Sequence, residues 1–371
     1  MSAESPRVLC VTSHGDTLNS IRPEAEIFVG CQKAGIDVEM LVEADSLYRP
    51  RLEEHGIAVH DTFIERKFDR HAVQRLQALV RERRIDILHL FNNKAIVTGI
   101  RAARGLPVKV VTYRGQTGNL SRWDPTSYLT HLNSRVDCIT CVSDAVRRDL
   151  SQHLTDPHKA ITLYKGHDLD WYTETPADLS EFGLSSTDFV VGAVANLRPR
   201  KGLKYLVEAA RYLPEEAPIK LLLVGNGTDS DAVREATRTH ADRFALAGFR
   251  RDATALIAAC DASVLAATKR EGLPKTVVES MAYGVTPIAT ATGGSPELIE
   301  DGVSGLVIEP ANARAIADAI VTLWSDEVRN RDMGRRARDR LETHFHHNAT
   351  VAEHVALYRR LMRGDSPRGE V

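Results

Sequence analysis

Residues 269–284, KREGLPKTVVESMAYG, place two carboxylates, Glu271 and Glu279, on either side of seven residues. Gly272-Leu273-Pro274-Lys275 reads as a tight turn, and Thr276-Val277-Val278 as the first turn of the helix that follows. Two readings compete. The acids are capping and surface charges, or the helix N-terminus holds an anion while the acids hold hydroxyls. A helix N-terminus favours negative charge. Pro274 has no N–H, so any donors to phosphate come from Leu273, Lys275 and Thr276. Carboxylates repel a diphosphate but accept strong hydrogen bonds from sugar hydroxyls.

A second cationic stretch, NLRPRKGLKYLVEAA, runs from the strand Phe189–Ala195 through Arg198, Arg200 and Lys201 into an amphipathic helix. Cations at the carboxyl end of a strand suit a diphosphate; a solvated turn is the plainer alternative. Gly225 and Gly227 follow another strand, but Ser230 stands where a dinucleotide fingerprint needs its third glycine, so a nicotinamide site is disfavoured. No P-loop occurs. Cys138 and Cys141 form a CxxC within a strand, where residues three apart point to opposite faces, against a metal or redox role. Asp168-Leu169-Asp170 spells a metal-binding Asp-x-Asp, but no metal is expected there, and the 14 histidines show no ligand spacing.

These groups need positioning, and the chain supplies it in two similar halves. Its 371 residues exceed what one core usually supports. Short apolar runs alternate with amphipathic stretches, which predicts α/β units with parallel sheets. The runs are Val8–Thr12, Val38–Val42, Ile85–Leu90, Val108–Tyr113 and Cys138–Val142. They restart at Phe189–Ala195, then Lys220–Val224, Phe244–Ala247, Ala262–Ala266, Thr286–Thr290 and Gly305–Ile308. Residues 168–188 are polar, contain Pro176 and read as a linker. Two doubly wound Rossmann-like domains facing a cleft are therefore expected, 1–168 and 186–345, with ligands beyond the carboxyl ends of the strands.

A formal net charge of −2 gives no reason to expect nucleic acid, and no apolar run approaches the length needed to span a bilayer. Five scattered cysteines suggest a reducing cytoplasm. Residues 66–84 hold seven basic and two acidic side chains, which read as a solvated helix face or as a basic helix drawn to an anionic membrane surface.

Taken in order, NLRPRKGLKYLVEAA, LLLVGNG, LAGFRRDATALIAACDAS, the Glu-x7-Glu stretch, GGSPEL, DGVSGLV and MGRRARDRLETHF resemble the donor domain of the retaining GT-B glycosyltransferases of family 4, the glycogen-synthase-like group. The resemblance covers about residues 189–310 most strongly and implies a nucleotide diphosphate sugar as substrate, with no cofactor and no metal. It implies that Lys201 neutralises the diphosphate, with Arg198 in place of an arginine that many members carry where Asn196 stands here. It further implies that Glu279 binds ribose, that Glu271 contacts the donor sugar, and that Gly248, Phe249 and Arg250 lie by the base. Gly272 to Thr276 complete the donor loop. In the first domain, a family His-Gly pair is replaced by Arg114-Gly115, and the glycine-rich acceptor loop by SHGDTLNSIRPEAE, which makes His14 and Gly15 the acceptor-side residues. Arg114 supplies charge but no base near neutral pH. A helix over about 348–364 is expected to cross back to the first domain. The acceptor is a glycan, a lipid-linked sugar or a small molecule. A GT-B epimerase or hydrolase, and a non-catalytic nucleotide-sugar-binding protein, are the alternatives.

Overall fold

The computed structural model describes residues 5–12 and 18–367. The chain divides into two compact units, one comprising residues 1–166 with 347–371 and the other 167–346.

The first unit is built on seven parallel strands: β1 (Arg7–Val11), β2 (Asp37–Val42), β3 (Ala58–Asp61), β4 (Ile87–Leu90), β5 (Lys109–Arg114), β6 (Cys138–Cys141) and β7 (Ala160–Thr162). Their spatial order is 3-2-1-4-5-6-7, so strand order reverses between β1 and β4. The crossovers carry α1 (Leu18–Lys33), α2 (Arg49–Glu54), α3 (Arg70–Glu82), α4 (Asn93–Ala102) and α5 (Asp144–Ser151). Side chains start three of these helices: Asp69 accepts from His71 N, Asn92 from Ala95 N and Ser143 from Val146 N. Each satisfies an amide that the helix itself leaves open. Residues Val8, Met40, Ile87 and Val111 are fully or almost fully buried and form a common core with Phe28 of α1.

The second unit repeats the plan with β8 (Phe189–Val194), β9 (Ile219–Val224), β10 (Phe244–Gly248), β11 (Ala262–Leu265), β12 (Thr286–Thr290) and β13 (Leu306–Ile308). Here too all pairings are parallel and the order is 3-2-1-4-5-6, reversing between β8 and β11. Its helices are α6 (Leu203–Ala209), α7 (Asp231–Thr237), α8 (Ala253–Ala258), α9 (Lys275–Ala282), α10 (Ser295–Leu298), α11 (Ala313–Trp324) and α12 (Glu327–His344). The last helix, α13 (His347–Arg363), returns to the first unit and packs on α1. Its Tyr358 is fully buried and hydrogen-bonds His89 of β4 at 2.8 Å.

Residues 168–188 are not a free linker. Leu184 joins the core of the second unit, with Ala177, Leu179 and Phe182 packed on it, and Ala177 N donates to Ala255 O. Polar composition concealed this because single apolar residues, without a period, do the docking. Among the described residues no helix is long and apolar enough to cross a membrane.

Candidate donor site in the second unit

The site lies at the switch between β8 and β11. After β8 the chain passes Asn196, Leu197 and Arg198 and forms a single turn, Pro199–Lys201, that ends at Gly202. Gly202 has φ +70°, and a Cβ there would lie 1.8 Å from Ala266 O. Only glycine permits so close an approach to the end of β11. The two loops are then stitched together: Thr268 N donates to Arg200 O at 2.8 Å, and Arg200 Nη1 to Arg270 O at 3.3 Å.

Arg270 holds φ +64°, a left-handed conformation uncommon for a residue with a side chain. It turns the chain so that Glu271, 5% exposed, comes under the β8 loop. Lys201 Nζ donates to Glu271 Oε1 at 2.7 Å, and Arg200 Nη1 lies 3.7 Å from the same oxygen. Gly293 and Gly294 back this turn from the next loop. A Cβ on Gly293 would meet Glu271 O at 2.1 Å, and Gly294 N donates to Gly272 O at 2.7 Å. The GGSPEL segment thus braces the glutamate, a role its sequence did not reveal.

Gly272, Leu273 and Pro274 lead into α9, whose first residues are Lys275 and Thr276. The N–H groups of Leu273, Lys275 and Thr276 have no hydrogen-bond acceptor among the described residues, and no side chain caps the helix. Three open amides at a helix start are an arrangement that can receive an anion. One turn further, Glu279 is 5% exposed and receives Lys275 Nζ at 3.0 Å. Burial raises its carboxyl pKa above the ordinary value, and Lys275 opposes that rise. Each of the two glutamates therefore already has a lysine partner, a correction to the simple division between cations for phosphate and acids for sugar. The spacing Lys275–Glu279, one helical turn, was the available signal.

Arg198 is exposed and has no ion pair among the described residues. It lines a cavity of about 420 Å³ together with Arg200, Lys204, Thr268 and Lys269, and no carboxylate among the described residues lines this space. Asn196 Oδ1 accepts Asn226 N at 3.0 Å, so its side chain fastens the loop after β9. Gly248, at φ +66°, leaves no room for a Cβ beside the Asp229 carboxylate, and its carbonyl accepts Gly225 N. Phe249 is 63% exposed and available to a planar ligand. Arg250 is not: its guanidinium forms paired bonds to Glu181 (2.9 and 3.0 Å) and to Asp252 (2.7 and 2.8 Å), which pin the docked 168–188 segment. Asp168 caps its own turn by accepting Asp170 N. Among the described residues no three His, Cys, Asp or Glu side chains gather as a metal site.

Arg114 ends β5 and is 8% exposed, with Gly115 exposed beside it. His14 and Gly15 lie outside the described residues.

Two parallel-sheet Rossmann-like units with these loops define the GT-B class of glycosyltransferases. Residues 175–340 match the family model of glycosyl transferases group 1, and residues 25–171 that of glycosyltransferase family 4. Together the two matches take in most of the chain and support placing it in this group 1/family 4 glycosyltransferase superfamily. It is 27% identical over 331 residues to the N-acetyl-alpha-D-glucosaminyl L-malate synthase of Bacillus anthracis, covering 85% of this chain and 86% of that one. It is 25% identical over 290 residues to the UDP-Gal:alpha-D-GlcNAc-diphosphoundecaprenol alpha-1,3-galactosyltransferase of Escherichia coli, covering 73% and 74%. Among solved structures, Anabaena HepE in complex with UDP superposes with a TM-score of 0.78 at 22% identity, covering 96% of this chain and all of that one.

Proposed function

We propose that this glycosyltransferase moves a sugar from a nucleotide diphosphate sugar to an acceptor hydroxyl with retention of anomeric configuration and without a divalent ion. One observation carries the reading. The paired Lys201 and Glu271 and the open amides of Leu273, Lys275 and Thr276 belong to one continuous loop system at a strand-order switch. The printed activities of the Bacillus and Escherichia relatives, both sugar transfers, support it.

As the glycosidic bond breaks, negative charge grows on the departing diphosphate while the sugar gains oxocarbenium character. Arg198, Lys201 and the α9 N-terminus stabilise that charge, and fixed donors are most effective where charge develops. Glu279 binds ribose hydroxyls and Glu271 the sugar. The departing phosphate oxygen takes the acceptor's proton on the same face, so the chain needs no base. The basic stretch 66–84 is assigned a peripheral contact with an anionic membrane on the cytoplasmic side. Within it α3 buries Ala72, Leu76 and Val80 and leaves Arg70, Arg75 and Arg81 exposed.

The test is product analysis with UDP-, GDP- and ADP-sugars and a panel of acceptors, with NMR of the product's anomeric proton. Sugar transfer with the donor's configuration, undiminished in EDTA, is expected. Inverted product refutes retention, and loss of turnover in EDTA with recovery in magnesium or manganese refutes metal independence.

A further inference from the structure

Arg114 is the most deeply buried cation of the first unit that lacks a carboxylate partner among the described residues. Its Nη2 donates to Gly118 O, and among the described residues its Nε has no hydrogen-bond partner and no ion pair reaches it within 4 Å. The nearby acid, Asp149, is occupied by Gly118 N at 2.8 Å. His131, on the other side, bonds Thr112 and contributes no charge at neutral pH. A buried guanidinium is costly unless its donors are used, and its planar fork matches carboxylate and phosphate oxygens.

Arg114 lines a cavity of about 280 Å³ whose other polar walls include Lys67, Asn93, Gln116 and Asn119. Among the described residues two cations and no carboxylate line this space, in a chain whose formal net charge is −2. A second cavity, about 290 Å³, shares Lys67 and Asn93 with the first and lies at the switch between β1 and β4, where Val11, Thr12 and Asn92 line it. Glu43 and Lys94 are also in its wall.

We propose that the first unit holds an anion subsite, in which Arg114 and Lys67 receive a carboxylate or phosphate carried by the acceptor. The adjoining cavity receives the acceptor's polar remainder. This rests on the glycosyl-transfer reading for the word acceptor, but the anion site itself does not require it. The replacement of histidine by arginine in TYRG then selects a negatively charged acceptor.

The full-length protein, labelled with nitrogen-15 and carbon-13, would be titrated with inorganic phosphate and separately with acetate. The Arg114 Nε–H resonance, assigned through its own backbone correlations, is the readout. Saturable shifts with one or both anions are expected, and Lys67→Ala should raise the midpoint by roughly twofold to tenfold. A shift with phosphate alone identifies a phosphorylated acceptor, and with acetate alone a carboxylated one. A resonance unmoved by either anion, or a midpoint unchanged in Lys67→Ala, overturns the proposal. Lys67 is exposed, so this variant does not depend on refolding the core. Titration of the same sample with UDP, GDP and ADP, followed at second-unit amides, tests the donor reading separately.

Discussion

Glu271→Gln separates restraint from support at the proposed phosphate site. The substitution keeps the shape of the side chain and removes the charge that holds Lys201. Removing one partner of a fully buried pair costs about 3–5 kcal/mol, whereas exposed pairs contribute about 0.2–1 kcal/mol. Here the carboxylate side is 6% exposed and the lysine side 20%, and glutamine still offers an oxygen to Lys201 Nζ. About 1–2 kcal/mol of lost stability follows. The same charge competes with a diphosphate for Lys201, so its removal should tighten the bare nucleotide diphosphate by up to about 5- to 30-fold. Lys201→Met should instead weaken that ligand by roughly ten- to a hundredfold, through loss of a charged donor. Under the proposed role of Glu271 in placing the sugar, turnover in Glu271→Gln should still fall on the order of a hundredfold. Urea denaturation and calorimetric titration with UDP, GDP and ADP measure the first two effects. Weaker nucleotide binding in Glu271→Gln, parallel to Lys201→Met, would show that the glutamate builds the phosphate site and does not restrain it.

Gly202→Ala should cost about 3 kcal/mol or more, or leave the protein insoluble, because its Cβ would collide with the Ala266 carbonyl and its φ is +70°. Glu279→Gln tests a pH-dependent penalty. Burial raises the folded-state pKa above the unfolded value, so the cost of ionising Glu279 is fully present above the raised value and absent below about 4.5. The variant should resist urea better than wild type at pH 7.5, with the advantage closing toward pH 4.5, while binding bare nucleotide more weakly; an unchanged urea midpoint at every pH would contradict this. In the first unit, burial holds His131 down to about 3 and His354 to about 4, so the unfolded chain takes up protons first. Stability should fall as pH drops below about 6.5, by up to about 1.4 kcal/mol per pH unit for each histidine, and His131→Asn should flatten the slope in a urea series.

The strands of both cores were legible because parallel strands buried on two faces are nearly continuous apolar runs. Thr286–Thr290 is found where its run lies, and Phe189–Val194 ends one residue short of it. The edge strands Ala58–Asp61 and Ala160–Thr162 escaped notice because they are only four and three residues long, and the first is no more than half-buried along its length. The acids and cations of the second unit were likewise visible as residue types. Their pairing was not, since Lys201 meets Glu271 across 70 positions of sequence. The tethering of Asn196 and Arg250 was hidden for the same reason: their partners, Asn226 and Glu181, are remote in sequence and belong to loops without a periodic pattern.

The return of α13 to the first unit has a consequence for synthesis. Leu357 and Tyr358 are fully buried in that unit, yet they are translated after every residue of the second. A nascent chain therefore cannot close its N-terminal core when residue 166 emerges, whereas the second unit is complete once residue 346 has left the ribosome. Domains often fold in order of emergence. Here the order of completion is reversed, and the unfinished first sheet waits for some 190 residues with the groove for α13 uncovered. Chaperones that shield apolar surface on emerging chains should accordingly dwell on the first unit until α13 arrives.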